Sequence, residues 1–341
     1  MATENMFSEK TLCDIEKAAR ILADGGLVAV PTETVYGLAA DADNPEAVRS
    51  TFAAKGRPAD HPLIVHVTGF EALSAWAKEI PPYAKTLTDA FWPGPLTLVF
   101  KKSDRVNDAV TGGQDTVANR SPSHPVMRAL LRRFAADNHK AVTAPSANTF
   151  GRISPTTARH VADDLGVKPE GKLDMILDGG ECEVGVESTI VNLTSDKPTI
   201  LRHGAVTAAM LSELLGFEVA DAGENAPRVS GRLKSHYAPQ TKLVIVPTET
   251  IQAHLEDVNL ADMAFLLCGQ SNLTQMVQAK ALRTIVAPAD PAGYAHLLYA
   301  AMHELDSCGA KRIVVQAPPA DPDWAAVNDR LGRAAADKNQ P

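Results

Sequence analysis

The sequence predicts an α/β protein in two parts. A twisted mixed sheet with helices and a concave ligand pocket fills the N-terminal two-thirds, and a smaller Rossmann-like α/β unit follows. Three observations lead there. Short apolar runs bounded by glycine and proline alternate with stretches of helical period. Some of these runs follow one another with no helical pattern between them, which argues for a mixed sheet rather than a wholly parallel one. A polar, breaker-rich stretch over residues 221–231 then separates two patterned regions, as a linker does.

The elements follow in order. Asp14 is placed to cap a helix running to about Asp24, with Gly25 and Gly26 as its stop. Residues 27–30 read as a buried strand ended by Pro31. Asn44 followed by Pro45 is a cap with proline at the first helical position, so 46–54 is a helix. Residues 63–67 form the next strand, and 96–100 follow the rigid turn Trp92-Pro93-Gly94-Pro95. Further strands are expected over 116–119, 141–144, 175–177, 189–193 and 199–201, with helices near 126–136 and 156–165. The pattern weakens from Gly216 to Gln240. Beyond it, 243–246, 264–267, 283–286 and 312–315 read as strands, and 294–306 and 324–336 as helices. The expected boundaries are a first domain over 1–216, a linker over 217–240 and a second domain over 241–341.

Length and composition agree with this and exclude several classes. The 341 residues suit one large or two ordinary domains, and 45% hydrophobic with 22% charged residues is globular composition. With 33 Lys and Arg against 41 Asp and Glu, the formal net charge is -8. A field of that sign repels a phosphate backbone, and 5% aromatics offer no stacking platform, so strong direct nucleic-acid binding is not expected. The opening MATENMFSEK lacks a basic region followed by an apolar core, and no apolar run approaches a membrane span. The cysteines Cys13, Cys182, Cys268 and Cys308 form no CxxC pair and read as free thiols in a reducing compartment. A cytoplasmic protein with no membrane partner is the expectation.

Standard phosphate and metal motifs are missing. Gly166-Val-Lys-Pro-Glu-Gly171-Lys172 has Walker A spacing but continues with Leu173, where a hydroxyl is needed, and reads as a surface turn. GxGxxG, HExxH, an EF-hand loop and a GxSxG elbow are all absent from the sequence. What remains is a series of loops rich in cations, hydroxyls and prolines, each after a predicted strand, where α/β sheets place ligands. They are Pro31-Thr32-Glu33-Thr34-Val35-Tyr36-Gly37-Leu38; Lys55-Gly56-Arg57-Pro58 with His61 and His66; Thr116 through Arg120 to Pro125; Ala144-Pro145-Ser146-Ala147-Asn148 continuing to Ser154-Pro155-Thr156; and Gly185-Val-Glu187-Ser188-Thr189 with Arg202. Each alone has a bland reading as a turn, a cap or a core histidine, and Glu33 and Glu187 read as local hydrogen-bond partners. Together, Lys55, Arg57, Arg120, Arg152 and Arg202 on such loops of an acidic protein suggest a polyanion pocket.

In this order and spacing the segments resemble the YrdC/Sua5 family of threonylcarbamoyl-AMP synthases. Ser230-Gly-Arg-Leu-Lys-Ser-His236-Tyr237-Ala-Pro239 looks like its interdomain linker, and Asn328-Asp-Arg-Leu-Gly-Arg-Ala-Ala like the end of the C-terminal domain of the long, Sua5-type members. The resemblance covers nearly the whole chain. It implies a nucleotidyltransferase that condenses L-threonine, bicarbonate and ATP to threonylcarbamoyl-adenylate and pyrophosphate. A separate tRNA threonylcarbamoyl transferase machinery would then modify adenosine 37 of tRNAs reading ANN codons.

The resemblance places threonine near Thr34, His66, Arg120, the backbone at Ala144, and Ser188. ATP is placed near Lys55, Arg57, His61, Thr116, Ser146, Asn148, Ser154 and Arg202, with Tyr237 closing over it; Lys55 and Arg57 are the expected catalytic residues. Mg2+ is expected on the phosphates rather than in a protein cage. Lys55 and Arg57 are further expected to face solvent in the empty pocket. The chain departs from the usual family pattern at Thr149-Phe150-Gly151, where a serine precedes the glycine, at Arg202-His203-Gly204, where proline is usual, and at Ser230-Gly231. Rival readings are a YciO-like relative with another carbamoyl or adenylate substrate, and an RNA-binding factor.

Overall fold

The computed structural model describes residues 7–135, 140–223, 225–256 and 259–336. The leader reading at residues 1–6 and Ala136 of the expected 126–136 helix lie outside the described residues. The chain divides into two compact units. One holds residues 1–150, 155–183 and 187–232; the other holds 151–154, 184–186 and 233–341.

The strands of the first unit are β1 (Val28–Val30), β2 (Gly37–Asp41), β3 (Ile64–His66), β4 (Ala77–Lys78), β5 (Leu96–Lys102), β6 (Thr116–Arg120), β7 (Val142–Thr143), β8 (Met175–Ile176), β9 (Thr189–Asn192) and β10 (Thr199–Arg202). Its helices are α1 (Glu9–Ala23), α2 (Pro45–Lys55), α3 (Leu73–Trp76), α4 (Pro82–Phe91), α5 (Asp108–Thr111), α6 (Pro125–Phe134), α7 (Ala158–Asp164) and α8 (Ala208–Leu215). One sheet runs in the order β10-β9-β5-β6-β3-β7-β2-β1-β8, with β4 beside β5. The pairs β9–β5, β6–β3 and β1–β8 are parallel and the other neighbours antiparallel, so the sheet is mixed.

Local chemistry explains the elements. Asn44 accepts from the amides of Glu46 and Ala47 and starts α2 as expected, while Gly56, in the left-handed region at φ 63°, ends it. The first helix departs from the expected start at Asp14. Ser8 receives the Thr11 amide at 3.1 Å and Glu9 occupies the first turn, so the helix forms upstream of Asp14. Strand β2 was not expected; its Gly-Leu-Ala-Ala-Asp run is buried throughout and shows no alternation to read. Period two separates two faces of the sheet. Val65 and Val67 enter an apolar core with Phe52 and Trp76, whereas His66, paired with Arg120 of β6, turns to the opposite face.

The second unit has strands β11 (Leu243–Val246), β12 (Met263–Cys268), β13 (Arg283–Ala287) and β14 (Arg312–Gln316), and helices α9 (Ile251–Glu256), α10 (Asn272–Lys280), α11 (Pro291–Ser307) and α12 (Ala325–Ala335). Its sheet, β11-β14-β12-β13, is parallel throughout. This is the small doubly wound unit that the alternating pattern predicts.

Candidate active site

The face of the first unit's sheet that carries His66 and Arg120 is built from buried polar groups. Arg120 ends β6, and its guanidinium donates to Glu33 Oε1 at 2.7 Å, Thr34 Oγ1 at 2.9 Å and the Gly94 carbonyl at 3.3 Å. The Arg120 and Glu33 side chains are 5% and 3% exposed. Burial raises the Glu33 carboxyl, but the Arg120 charge and hydrogen bond outweigh it and hold the group ionised, below its usual range. The other Glu33 oxygen accepts from the Ser123 amide at 3.1 Å, so one carboxylate ties the 31–36 loop to the end of β6. Beside it, burial and then the charge of Arg120 push the His66 imidazole down to about 3, so the ring is neutral.

Farther along the sheet, Ser188 shares a hydrogen bond with Thr97 of β5 at 2.8 Å. Arg202, at the end of β10, donates to Ser188 Oγ at 3.1 Å, to the Ser188 carbonyl at 3.0 Å and to the Ser230 carbonyl at 3.0 Å. Arg57 reaches Ser230 Oγ at 3.1 Å and the Pro62 carbonyl at 3.0 Å. Ser230 therefore joins two of the expected cations. Thr116, Pro62, Ile64 and Ser230 also line one narrow cleft.

Lys55 is the last residue of α2, and its ammonium donates to the carbonyls of Ser146 and Asn148. Contrary to the expectation that they face solvent, Lys55 and Arg57 are 2% and 9% exposed. The reason is a loop distant in the chain: the Phe150 amide donates to the Lys55 carbonyl at 2.8 Å, which folds the 144–150 loop over the helix end. Burial, and next the charge of Arg57, lower the Lys55 ammonium well below its ordinary range.

The 31–38 and 144–148 loops interlock through their backbones. Leu38 N–H donates to the Pro145 carbonyl and Ala147 N–H to the Tyr36 carbonyl. A Cβ on Gly37 would lie 2.9 Å from Ala144 Cβ, so only glycine lets the strands approach here. The departure at Phe150 acquires a physical role: its ring lies 5.4 Å from His61, edge on, and 5.9 Å from the Arg57 guanidinium. The Asn148 side chain donates to the Thr149 carbonyl at 2.8 Å.

Ser154 and Tyr237 belong to the second unit. The Ser154 carbonyl lies 3.2 Å from His303 Nε2 of α11. Tyr237 is held at φ 61°, in the left-handed region, and its ring packs against His236 and Tyr299 under the Arg330 guanidinium of α12 at 5.4 Å. Arg152, expected among the pocket cations, also belongs to this unit, where it faces Asp306 at 3.5 Å. Sequence reasoning did not single out Thr97, and met Ser230 only in the linker segment, as a departure from the family pattern, with no site role. A hydroxyl inside an otherwise apolar strand was the available signal for Thr97; for Ser230 there was none beyond its place in the linker.

Among the described residues, no group of three or more His, Cys, Asp or Glu side chains is placed to hold a metal ion. No helix among them is long and apolar enough to cross a membrane. The fold and this face define a class: an α/β protein whose mixed sheet gathers buried lysine, arginine and hydroxyl groups suited to small anions.

Comparison with known proteins narrows the class. A family model for Sua5, YciO and YrdC proteins, described as telomere recombination, matches residues 20–204. A second, described as the threonylcarbamoyl-AMP synthase C-terminal domain, matches 206–336. The chain is 42% identical over 251 residues to a threonylcarbamoyl-AMP synthase of Pyrococcus abyssi, covering 72% of each. It is 36% identical over 328 residues to that of Bacillus subtilis, covering 94% of this chain and 92% of the relative. The crystal structure of P. abyssi Sua5 complexed with L-threonine superposes with a TM-score of 0.82 at 35% identity, covering 94% of both chains. The chain belongs to the Sua5/YciO/YrdC family and carries the C-terminal domain of threonylcarbamoyl-AMP synthases.

Proposed function

We infer that this chain is an adenylate-forming enzyme that condenses L-threonine, bicarbonate and ATP to threonylcarbamoyl-adenylate and pyrophosphate, the activated donor for t6A37 modification of tRNAs reading ANN codons. The observation that carries the reading is the gathering of Lys55, Arg57, Arg120 and Arg202 with Thr34, Thr97 and Ser188, in a chain similar over nearly its whole length to named synthases. Bringing a triphosphate and two carboxylate-like groups together is strongly unfavourable unless fixed cations offset their repulsion.

In the proposed reaction the threonine amine adds to bicarbonate, water leaves, and an N-carboxylate forms. One oxygen of that carbamate attacks the α-phosphorus, and the bond to the β-phosphate oxygen breaks, releasing pyrophosphate. Threonine is assigned to Thr34, His66, Arg120, the Ala144 backbone and Ser188. A neutral His66 offers a hydrogen bond without adding charge, and the remaining N–H groups of Arg120 serve the threonine carboxylate. ATP is assigned to Lys55, Arg57, His61, Thr116, Ser146, Asn148, Ser154, Arg202 and Tyr237; Lys55 and Arg57 stabilise the phosphoryl oxygens as they gain charge. Cationic donors and hydroxyl groups suit the phosphates of Mg·ATP arriving as substrate with its own metal.

Two parts of the reading reach beyond the active site. Residues 1–216 serve as catalytic domain, 217–240 as linker and 241–341 as C-terminal domain, and a tRNA threonylcarbamoyl transferase machinery consumes the labile product. The free thiols of Cys13, Cys182, Cys268 and Cys308 support a reducing, cytoplasmic setting. The test is pyrophosphate release from ATP. It is expected only when threonine and bicarbonate are both present, and without tRNA; release independent of threonine rejects the reading.

A further inference from the structure

Among its members the second unit counts a short piece of chain from far upstream, residues 151–154, together with the linker from residue 233 onward. One carboxylate joins them. Asp306, in the last turn of α11, accepts the Gln240 amide on Oδ2 at 2.8 Å and the Thr241 amide on Oδ1 at 2.7 Å. The Arg152 guanidinium reaches Oδ2 at 3.5 Å. The Arg152 and Asp306 side chains are 22% and 12% exposed, so the pair is screened only in part.

Around this pair the two segments run side by side. Ala238 N–H donates to the Gly151 carbonyl at 2.9 Å, and Arg152 and Ala238 form a parallel β-bridge. On the same helix, His303 lies 3.2 Å from the Ser154 carbonyl. A carboxylate at a helix C-terminus opposes the helix dipole, so helix stability does not favour Asp306 at its position. Its neighbours do: two N–H donors and a guanidinium converge on its oxygens, and these come from the two segments that carry Ser154 and Tyr237.

We propose that Asp306 is a positioning residue that locks the 151–154 loop and the segment 238–241 at the end of the linker into one piece, so that Ser154 and Tyr237 are held in fixed register for ATP. The proposal rests on the assignment of those two residues to ATP made above. It gives the C-terminal unit a part in the reaction without any contact of Asp306 with substrate.

The test is Asp306→Asn in the full-length chain, read by hydrogen exchange and by kinetics. Asparagine keeps the shape and one acceptor but loses the charge and the second acceptor. Amides over 151–154 and 238–241 should both exchange about ten-fold faster, the loss expected for a charge-assisted hydrogen bond. Strands β12 and β14 should be unchanged. KM for ATP should rise by a similar factor, with kcat and KM for threonine unaffected, and Asp306→Glu should restore part of it. If Asp306→Asn does not fold, Arg152→Gln removes the ion pair while leaving the Gln240 and Thr241 amides on Asp306, and should loosen 151–154 in the same way. Faster exchange at 238–241 with 151–154 unmoved overturns the lock. Faster exchange in both with unchanged KM for ATP leaves the lock standing, rejects the assignment of Ser154 and Tyr237 to ATP, and with it overturns Asp306's part in the reaction.

Discussion

Acidification provides a test of the buried imidazole. His66 is 2% exposed, and its pKa is pushed from 6.5 down to about 3 by burial and then by Arg120. In the unfolded chain the same ring titrates near 6.5. Between those values the unfolded state binds a proton that the folded state does not, so stability falls as pH drops through 6.5. The slope is about 1.4 kcal/mol per pH unit, which amounts to about 2 kcal/mol by pH 5. Denaturant unfolding of the wild type and His66→Gln at pH 7.5 and pH 5 isolates this contribution, because the carboxylates common to both proteins cancel in the difference. The wild type should lose about 2 kcal/mol more than the variant over that interval. Parallel stability curves would mean that the ring protonates in the folded state, and the picture of a neutral His66 beside Arg120 would fail.

Further outcomes follow from the same geometry. Glu33→Gln leaves the Arg120 guanidinium buried without its counter-ion and should cost about 3 kcal/mol; L-threonine, supplying a carboxylate, should then raise the melting temperature of the variant more than that of the wild type, and an equal rise refutes the role of Arg120. Lys55→Met should abolish pyrophosphate release and, by stranding the Ser146 and Asn148 carbonyls, lower stability by about 1–3 kcal/mol; near-wild-type turnover contradicts the assignment. Gly204→Ala would bring a Cβ to 2.4 Å from the Thr189 nitrogen and 2.7 Å from the Glu187 carbonyl. The loop carrying Ser188 must then shift, at a cost of about 1–3 kcal/mol, and unchanged unfolding and threonine binding would show that it yields freely.

Where the sequence was readable, the reason is local chemistry. Asn44-Pro45 and Gly56 bracket α2 because capping and left-handed termination depend on those residues alone. The strands around His66 and Arg120 were legible as apolar runs, but the register that sets the two residues side by side is a property of nonlocal pairing. Strand β2 was hidden because burial on both faces erases period two. The roles of Ser230 and Thr97 were hidden for a different reason: a hydroxyl gains its meaning from a partner distant in the chain, Arg57 and Arg202 for the one and Ser188 for the other. The solvent-facing expectation for Lys55 failed on the same ground. The loop that covers it lies some ninety residues downstream, as the contact between Lys55 and Ser146 records.

The partners of these cations bear on how such a site can work. Lys55 rests on the Ser146 and Asn148 carbonyls, which satisfy its N–H donors without neutralising charge, while the Asp164 and Glu187 carboxylates act on it through space. A carboxylate in contact would stabilise the ammonium more strongly, but an entering phosphate would then have to displace it or face its repulsion. Neutral acceptors leave the positive field available. The cost appears at Lys55, whose ammonium is driven well below its ordinary range by burial and by Arg57. Arg120 follows the opposite arrangement: Glu33 accompanies it, and the ligand assigned there is a single carboxylate rather than a triphosphate. The contrast in charge therefore matches the division of ligands, with Lys55 at the end assigned to the more highly charged substrate held on neutral acceptors and Arg120 at the threonine end keeping a counter-ion in contact.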